Sequence, residues 1–232
     1  MANYKLIIPH VKKNEGGLAD TLKDTNPAKN PSPIKNPKTG LYYHTNKGII
    51  WGTWVAWSKR KGIPVDAQRW LRMSDADWED VMKTLFWDSI DADKINSQAI
   101  AEILFEAVWG SGNAKSLIIY LQTYLRNAGY NISVDGVMGK ETYTALNDFT
   151  KNDKKHAQLI KDLTAKRLSQ LQSMSSWSWA GKAWTRRLYE IQDAGLKYIT
   201  ENPVKTGGGI ILLALLGTGV YYLSKGTLPK IL

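Results

Sequence analysis

The sequence predicts a mainly α-helical protein with a small extended lobe and a C-terminal transmembrane helix. Three observations predict it. Between residues 53 and 188 apolar residues recur at helical spacing, segment after segment. Asn, Pro, Lys and Thr concentrate in one turn-rich connection, Leu18 to Tyr43, and a short β-branched stretch follows it. Residues 206–224 carry no charge and lie between Lys205 and Lys225.

Residues 3–14 read as a first helix, regular only from about Ile8 because Pro9 belongs in a first turn or at a kink. Gly16 and Gly17 are expected to end it, since glycine tolerates the left-handed conformation. The connection that follows carries Asp20 and Asp24, and a structureless loop of this length in a compact domain is usually functional or disordered. Thr45, Ile49 and Ile50 suit an extended segment, with Gly48 at a turn. Thr53 to Lys61 reads as a helix stopped by Gly62 and Pro64. Ser74 is a helix cap, and Trp78, Val81, Met82, Leu85 and Phe86 follow as a core stripe. Ser97 to Trp109 is apolar nearly all round, as a buried helix is. Its Glu102 and Glu106 read as surface-facing or hydrogen-bonded more readily than catalytic. Helices are also expected over 114–127, 140–149 and 154–171. The Trp177 to Leu188 stretch, with Arg186 and Arg187, suits sugar stacking or locking of a last helix onto the core equally.

The run 206–224 spans about 28 Å as a helix, roughly a bilayer core. Tyr221 and Tyr222 stand where an interfacial aromatic belt would. It is expected to anchor the protein in a lipid bilayer, with 225–232 as a short tail. Basic residues are heavier before the span (Arg186, Arg187, Lys197, Lys205) than after it (Lys225, Lys230), which by the positive-inside rule keeps the globular part cytoplasmic. No N-terminal signal peptide is visible.

Composition narrows the chemistry. The chain has 232 residues, ten of them Trp, enough for a real core. It has no cysteine, which excludes disulfides, thiolate nucleophiles and cysteine metal sites. The net charge of +10 favours polyanions, among them anionic cell-wall polymers. No nucleic-acid motif accompanies it. The Asp135-Gly136 turn lacks the further oxygen ligands of a calcium loop, and His44 has no second ligand in register, so neither metal nor cofactor is expected.

Glu15 stands at the end of the first helix, against apolar neighbours, just before two glycines that let a substrate approach. Such a place suits a carboxyl held ready for general acid catalysis. A solvated Glu beside an ordinary helix end is the plainer alternative for these three residues alone.

Glu15-Gly16-Gly17, Thr45-Asn46-Lys47-Gly48-Ile49 and the turn Asp135-Gly136-Val137-Met138-Gly139-Lys140-Glu141-Thr142, taken in order, resemble the glycoside hydrolase family 108 N-acetylmuramidases of phages and prophages, with their predicted peptidoglycan-binding segment. The resemblance covers roughly residues 4–190. It implies a lysozyme-like fold, with a catalytic region at 1–96 and a helical peptidoglycan-binding region at 97–200. It implies peptidoglycan as partner and hydrolysis of the β-1,4 bond between N-acetylmuramic acid and N-acetylglucosamine. Glu15 would be the general acid, Asp24 the second carboxylate and Thr45 the residue that helps hold water, with Gly16, Gly17, His44, Asn46 and Gly48 lining the substrate. The sequence departs from the pattern in about a dozen extra residues before Thr45, in Tyr43-His44 where paired glycines are usual, and in Ile50. Asp20 therefore competes with Asp24. A non-catalytic wall-binding or virion membrane protein on a degenerate lysozyme fold, and a lytic transglycosylase, are the alternatives. With an anchor, the implied setting is the internal membrane of a lipid-containing phage virion, otherwise the bacterial inner membrane.

Overall fold

The computed structural model describes residues 1–20 and 32–203. The expected anchor at 206–224 and the tail at 225–232 lie outside the described residues. Among the described residues no helix is long and apolar enough to cross a membrane.

Helix α1 runs over Tyr4–Asn14, with Asn3 as its cap accepting a hydrogen bond from the Lys5 amide at 3.0 Å. Pro9 lies inside it, not at its start. The helix tolerates this because Pro9 is exposed, so water can meet the carbonyl it leaves unpaired, while Ile7, Ile8 and Val11 are buried on the other side. The end of α1 also differs from expectation. The capping residue is Glu15 itself, in an extended conformation (φ −96°, ψ 137°), and neither Gly16 nor Gly17 is left-handed. The chain leaves the helix straight into a strand.

That strand is β1 (Leu18–Ala19), which pairs antiparallel with β2 (Thr45–Asn46), and β2 pairs with β3 (Ile49–Ile50). Lys47 and Gly48 join β2 to β3, both at positive φ (48° and 77°), the signature of a type I′ hairpin turn. Indole donors fasten this small lobe to the helices. Trp78 Nε1–H donates to the Lys47 carbonyl at 2.8 Å, and Trp70 Nε1–H to that of Ile49 at 3.3 Å. Of the long connection, the described part 32–43 is ordered by a bridge between Lys35 and Tyr42.

Helix α2 (Trp51–Lys61) follows β3 directly and ends at a left-handed Gly62. A short helix α3 (Ala67–Leu71), which the sequence pattern does not reveal, precedes α4 (Asp75–Met82), capped by Ser74 as expected. The stripe expected to continue α4 passes through a π-helical turn, Lys83–Trp87. The wider turn brings both rings onto the next helix: Phe86 lies 4.8 Å from Trp109, and Trp87 6.1 Å from Phe105.

Helix α5 (Gln98–Ser111) is the centre of the molecule, buried from Ala99 to Val108 except at Glu102. Helices α6 (Lys115–Asn127), α8 (Asp153–Gln172) and α9 (Trp177–Glu201) pack on it, and α7 (Lys140–Phe149) packs on α6. The Asp135 turn is organised by buried Gln122, whose side chain accepts from the Gly136 amide (2.8 Å) and donates to Asp135 (2.9 Å). Helix α9 packs along α8 and against α5. Of the two readings of its start, locking wins for part of the stretch: Leu188 and Arg187 are buried, and Trp177 lies flat on Gly181, while Trp179 stays half exposed.

Candidate active site

Glu15 reaches its position from three directions. The extended end of α1 turns its side chain across the hairpin, where Gly48 faces it. A Cβ on Gly48 would lie 2.7 Å from Glu15 Cδ and 2.9 Å from Trp109 Cζ2, so only glycine fits there. From the last turns of α5, Trp109 Nε1–H donates to Glu15 Oε1 at 2.8 Å. From α9, Arg187 Nη1 stands 4.0 Å from the same oxygen. Oε1 is thus engaged by a donor and faced by a cation, whereas Oε2 lies toward Gly48. The side chain keeps 17% of its surface open.

Behind Glu15 lies an ion cluster. Glu106 of α5, 3% exposed, accepts from Arg187 Nη2 at 2.7 Å and from Arg167 Nε of α8. Burial alone pushes the Glu106 carboxyl up, but the two guanidiniums outweigh it and hold it below the ordinary range. Glu106 is thus a buried, fully paired carboxylate, the hydrogen-bonded reading of the sequence. Glu102 differs: burial raises its pKa, and among the described residues Gln98 alone donates to it, at 2.7 Å. A pocket lined by Ile7, His10, Phe105, Trp109, Arg187 and Ile191 separates α1 from α5 and α9. There burial lowers the His10 pKa, although Glu190 pulls it up.

The other expected site residues divide. Gly48 stands on Glu15. Gly16 and Gly17 are exposed, with open space where a side chain would project, and Gly17 accepts the Lys47 amide at 3.3 Å. Thr45 lies in β2 opposite Ala19, and its hydroxyl is buried with no hydrogen bond among the described residues. Asn46 and His44, expected at the substrate, face inward instead. Asn46 donates to the carbonyls of Trp70 (2.7 Å) and Leu71 (3.2 Å), and His44 is 2% exposed. The strand alternation that presents Thr45 on one face puts both neighbours on the other. Asp20 accepts from Thr39 and from Asn36 (2.6 Å), which hold its pKa below the usual carboxylate range, so it ties the loop to β1. Asp24 lies outside the described residues.

Sequence reasoning missed Trp109 and Arg187 as neighbours of Glu15. They come from 94 positions away in the first case, and nothing local marks them. The one available signal was a Trp closing an otherwise aliphatic buried helix just before Gly110.

Residues 8–112 match the family model of glycosyl hydrolase 108, and residues 116–180 match that of a predicted peptidoglycan domain. The two matches define the class: a glycoside hydrolase that acts on peptidoglycan. The first match runs through α5 and so includes Trp109 as well as Glu15. In fold the chain is similar to the structure of Brucella abortus SagA, with a TM-score of 0.57 and 20% identity over 88% of this chain and 97% of that one. No curated protein matches the chain.

Proposed function

We propose that the protein is an N-acetylmuramidase of the lysozyme type, hydrolysing the β-1,4 bond between N-acetylmuramic acid and N-acetylglucosamine with Glu15 as general acid. The observation that carries this reading is the asymmetry of the Glu15 carboxyl. Oε1 is held by the Trp109 indole and faces Arg187, so the transferable proton belongs on Oε2, beside Gly48. Protonation of the glycosidic oxygen from Oε2 lets the bond to the anomeric carbon break as that carbon takes on oxocarbenium character. Water then adds its hydroxyl to the anomeric carbon, leaving a new reducing end, and the proton it gives up passes to the second carboxylate, with Glu15 reprotonated from solvent before the next cycle. The buried Thr45 hydroxyl, unbonded among the described residues, supports a role in holding that water, because a buried hydroxyl without a partner is costly. Asp24 is proposed as the second carboxylate, since Asp20 is committed to Thr39 and Asn36.

The proposed setting is a membrane, through residues 206–224, with the enzyme fixed in a phage virion and opening the wall on entry. Detergent extraction of full-length protein and of a chain ending at residue 203 tests it: only the former should require detergent.

Glu15→Gln tests the chemistry. General acid catalysis contributes about 10²–10⁴-fold, so the variant should lose that much wall lysis while still binding peptidoglycan. Mass spectrometry of wild-type products should show reducing ends rather than anhydro sugars. Full activity in the variant would sink the assignment to Glu15, and anhydro products would make the enzyme a transglycosylase.

A further inference from the structure

We propose that Arg187, carried by α9 and lying outside both matched segments, is a positioning residue that sets the pH range over which Glu15 holds its proton. The proposal rests on Glu15 being the general acid. Its geometry is independent of that reading. The guanidinium is 10% exposed and is fixed by Glu106 at 2.7 Å through Nη2, which presents Nη1 to Glu15 Oε1 at 4.0 Å. Glu106 is in turn fixed by Arg167. The cluster is therefore a buried Arg–Glu–Arg triad with one net positive charge, and that excess faces Glu15.

Other charged groups stand nearby. On α1 these are His10 and Lys13; on α9 Glu190, which lies 3.6 Å from each of them; and on the hairpin Lys47, whose ammonium goes to Asp75 and the Met73 carbonyl at 3.0 Å. Those charges have partners of their own. The triad's excess has Glu15. A cation at this distance favours the carboxylate, so Arg187 draws the loss of the catalytic proton toward lower pH and makes this an enzyme of the acid side. The C-terminal half thus does more than hold the wall: it completes the catalytic end of the N-terminal half.

The test is the pH dependence of kcat/KM on soluble peptidoglycan fragments for the full chain, its Arg187→Gln and Arg187→Lys variants, and Glu15→Gln. Arg187→Gln should move the alkaline limb up by about one unit or more, the size of a neighbouring charge removed. Arg187→Lys, which keeps the charge, should leave the limb nearer its place. If Arg187→Gln fails to fold, replacement of the whole triad (Arg167→Met, Glu106→Leu, Arg187→Met) removes the same net charge without orphaning a partner, and should give the same upward shift. A limb that stays put in every folded variant lacking Arg187 overturns the proposal, even if the rate falls. A limb that moves with His10→Gln and not with Arg187→Gln assigns the ionisation to the imidazole and overturns it too. Lysis by Glu15→Gln would instead remove the underlying reading, so the two failures are distinguishable.

Discussion

Two glutamates share one arginine. Glu106 takes Arg187 at 2.7 Å and Arg167 besides, with 3% of its side chain exposed. Glu15 takes the same arginine at 4.0 Å, has an indole donor on one oxygen, and remains 17% exposed. The difference is one of burial and distance. Each Glu106 oxygen accepts from a fixed guanidinium, and a carboxylate so paired stays ionised. Glu15 has Oε1 held by the indole and Oε2 toward Gly48, and it keeps more of its surface open, as the proposed general acid requires. Burial and the reach of the shared cation separate the two: Glu106 is closed over and in contact with it, whereas Glu15 is partly open and stands off from it.

Substitution should break this comparison in opposite ways. Glu106→Gln leaves two buried guanidiniums facing a neutral amide, and breaking a buried pair costs about 3–5 kcal/mol, so its thermal midpoint should fall steeply. Glu15→Gln keeps the shape and an acceptor for the Trp109 indole, and should stay within about 1 kcal/mol of wild type while losing lysis. Paired melts and lysis assays check both. A stable Glu106→Gln, or an unfolded Glu15→Gln, would reverse the roles assigned to them.

Gly48→Ala is next in size. A left-handed position costs a non-glycine residue about 1–2 kcal/mol, and the new methyl would sit on Glu15 Cδ and the Trp109 ring. Misplacement of a catalytic group by about 1 Å costs on the order of 10²-fold in rate. The rate should therefore fall much further than the stability, and a variant that loses stability alone would detach Gly48 from the chemistry. Trp109→Phe should cost less. The ring keeps its neighbours, Phe86 at 4.8 Å and Phe105 at 6.0 Å, but the donor to Oε1 is gone. A hydrogen bond to a charged group is worth about 1.5–3 kcal/mol, and the rate should drop by about tenfold or more, read from kcat rather than KM.

Legibility of the sequence followed the range of the interactions. The helices from α4 to α8 show in local periodicity, and the Ser74 cap and the Gly48 turn show because their chemistry is contained within a few residues. Glu15 stood out because its motif is contiguous. What escaped was long-range or held by context. Pro9 is carried inside α1 because capping at Asn3 and burial of Ile7, Ile8 and Val11 outweigh one lost bond. The π-turn after α4 is set by where Phe86 and Trp87 must land on α5. Asn46 and His44 stood beside a motif residue in sequence, but strand alternation turned them inward. Trp109 and Arg187 meet Glu15 only through the packing of α5 and α9.

The smallest effect lies far from Glu15, in the helical half. His156 of α8 is bonded through Nε2 to Ser97 Oγ at 2.7 Å, and Ser97 in turn caps α5 by accepting the Ile100 amide. Burial drives the His156 pKa down to about 4, against a weak opposing pull from Asp153. The folded protein therefore holds this imidazole neutral where an unfolded chain would already bind a proton. Stability from this group is fully present above the unfolded value of about 6.5 and is lost as pH falls toward the folded one, because the unfolded state takes up the proton first. Melting midpoints should accordingly decline between about pH 6.5 and pH 4 by on the order of 2 kcal/mol in stability at most, a partly exposed ring being softened by solvent. His156→Gln, which retains a partner for Ser97, should flatten this part of the curve without touching the alkaline limb of activity proposed to depend on Arg187. Equal slopes in the two proteins would place the acid sensitivity elsewhere, and a shifted activity limb would mean that the two halves are coupled through α5 as well as through α9.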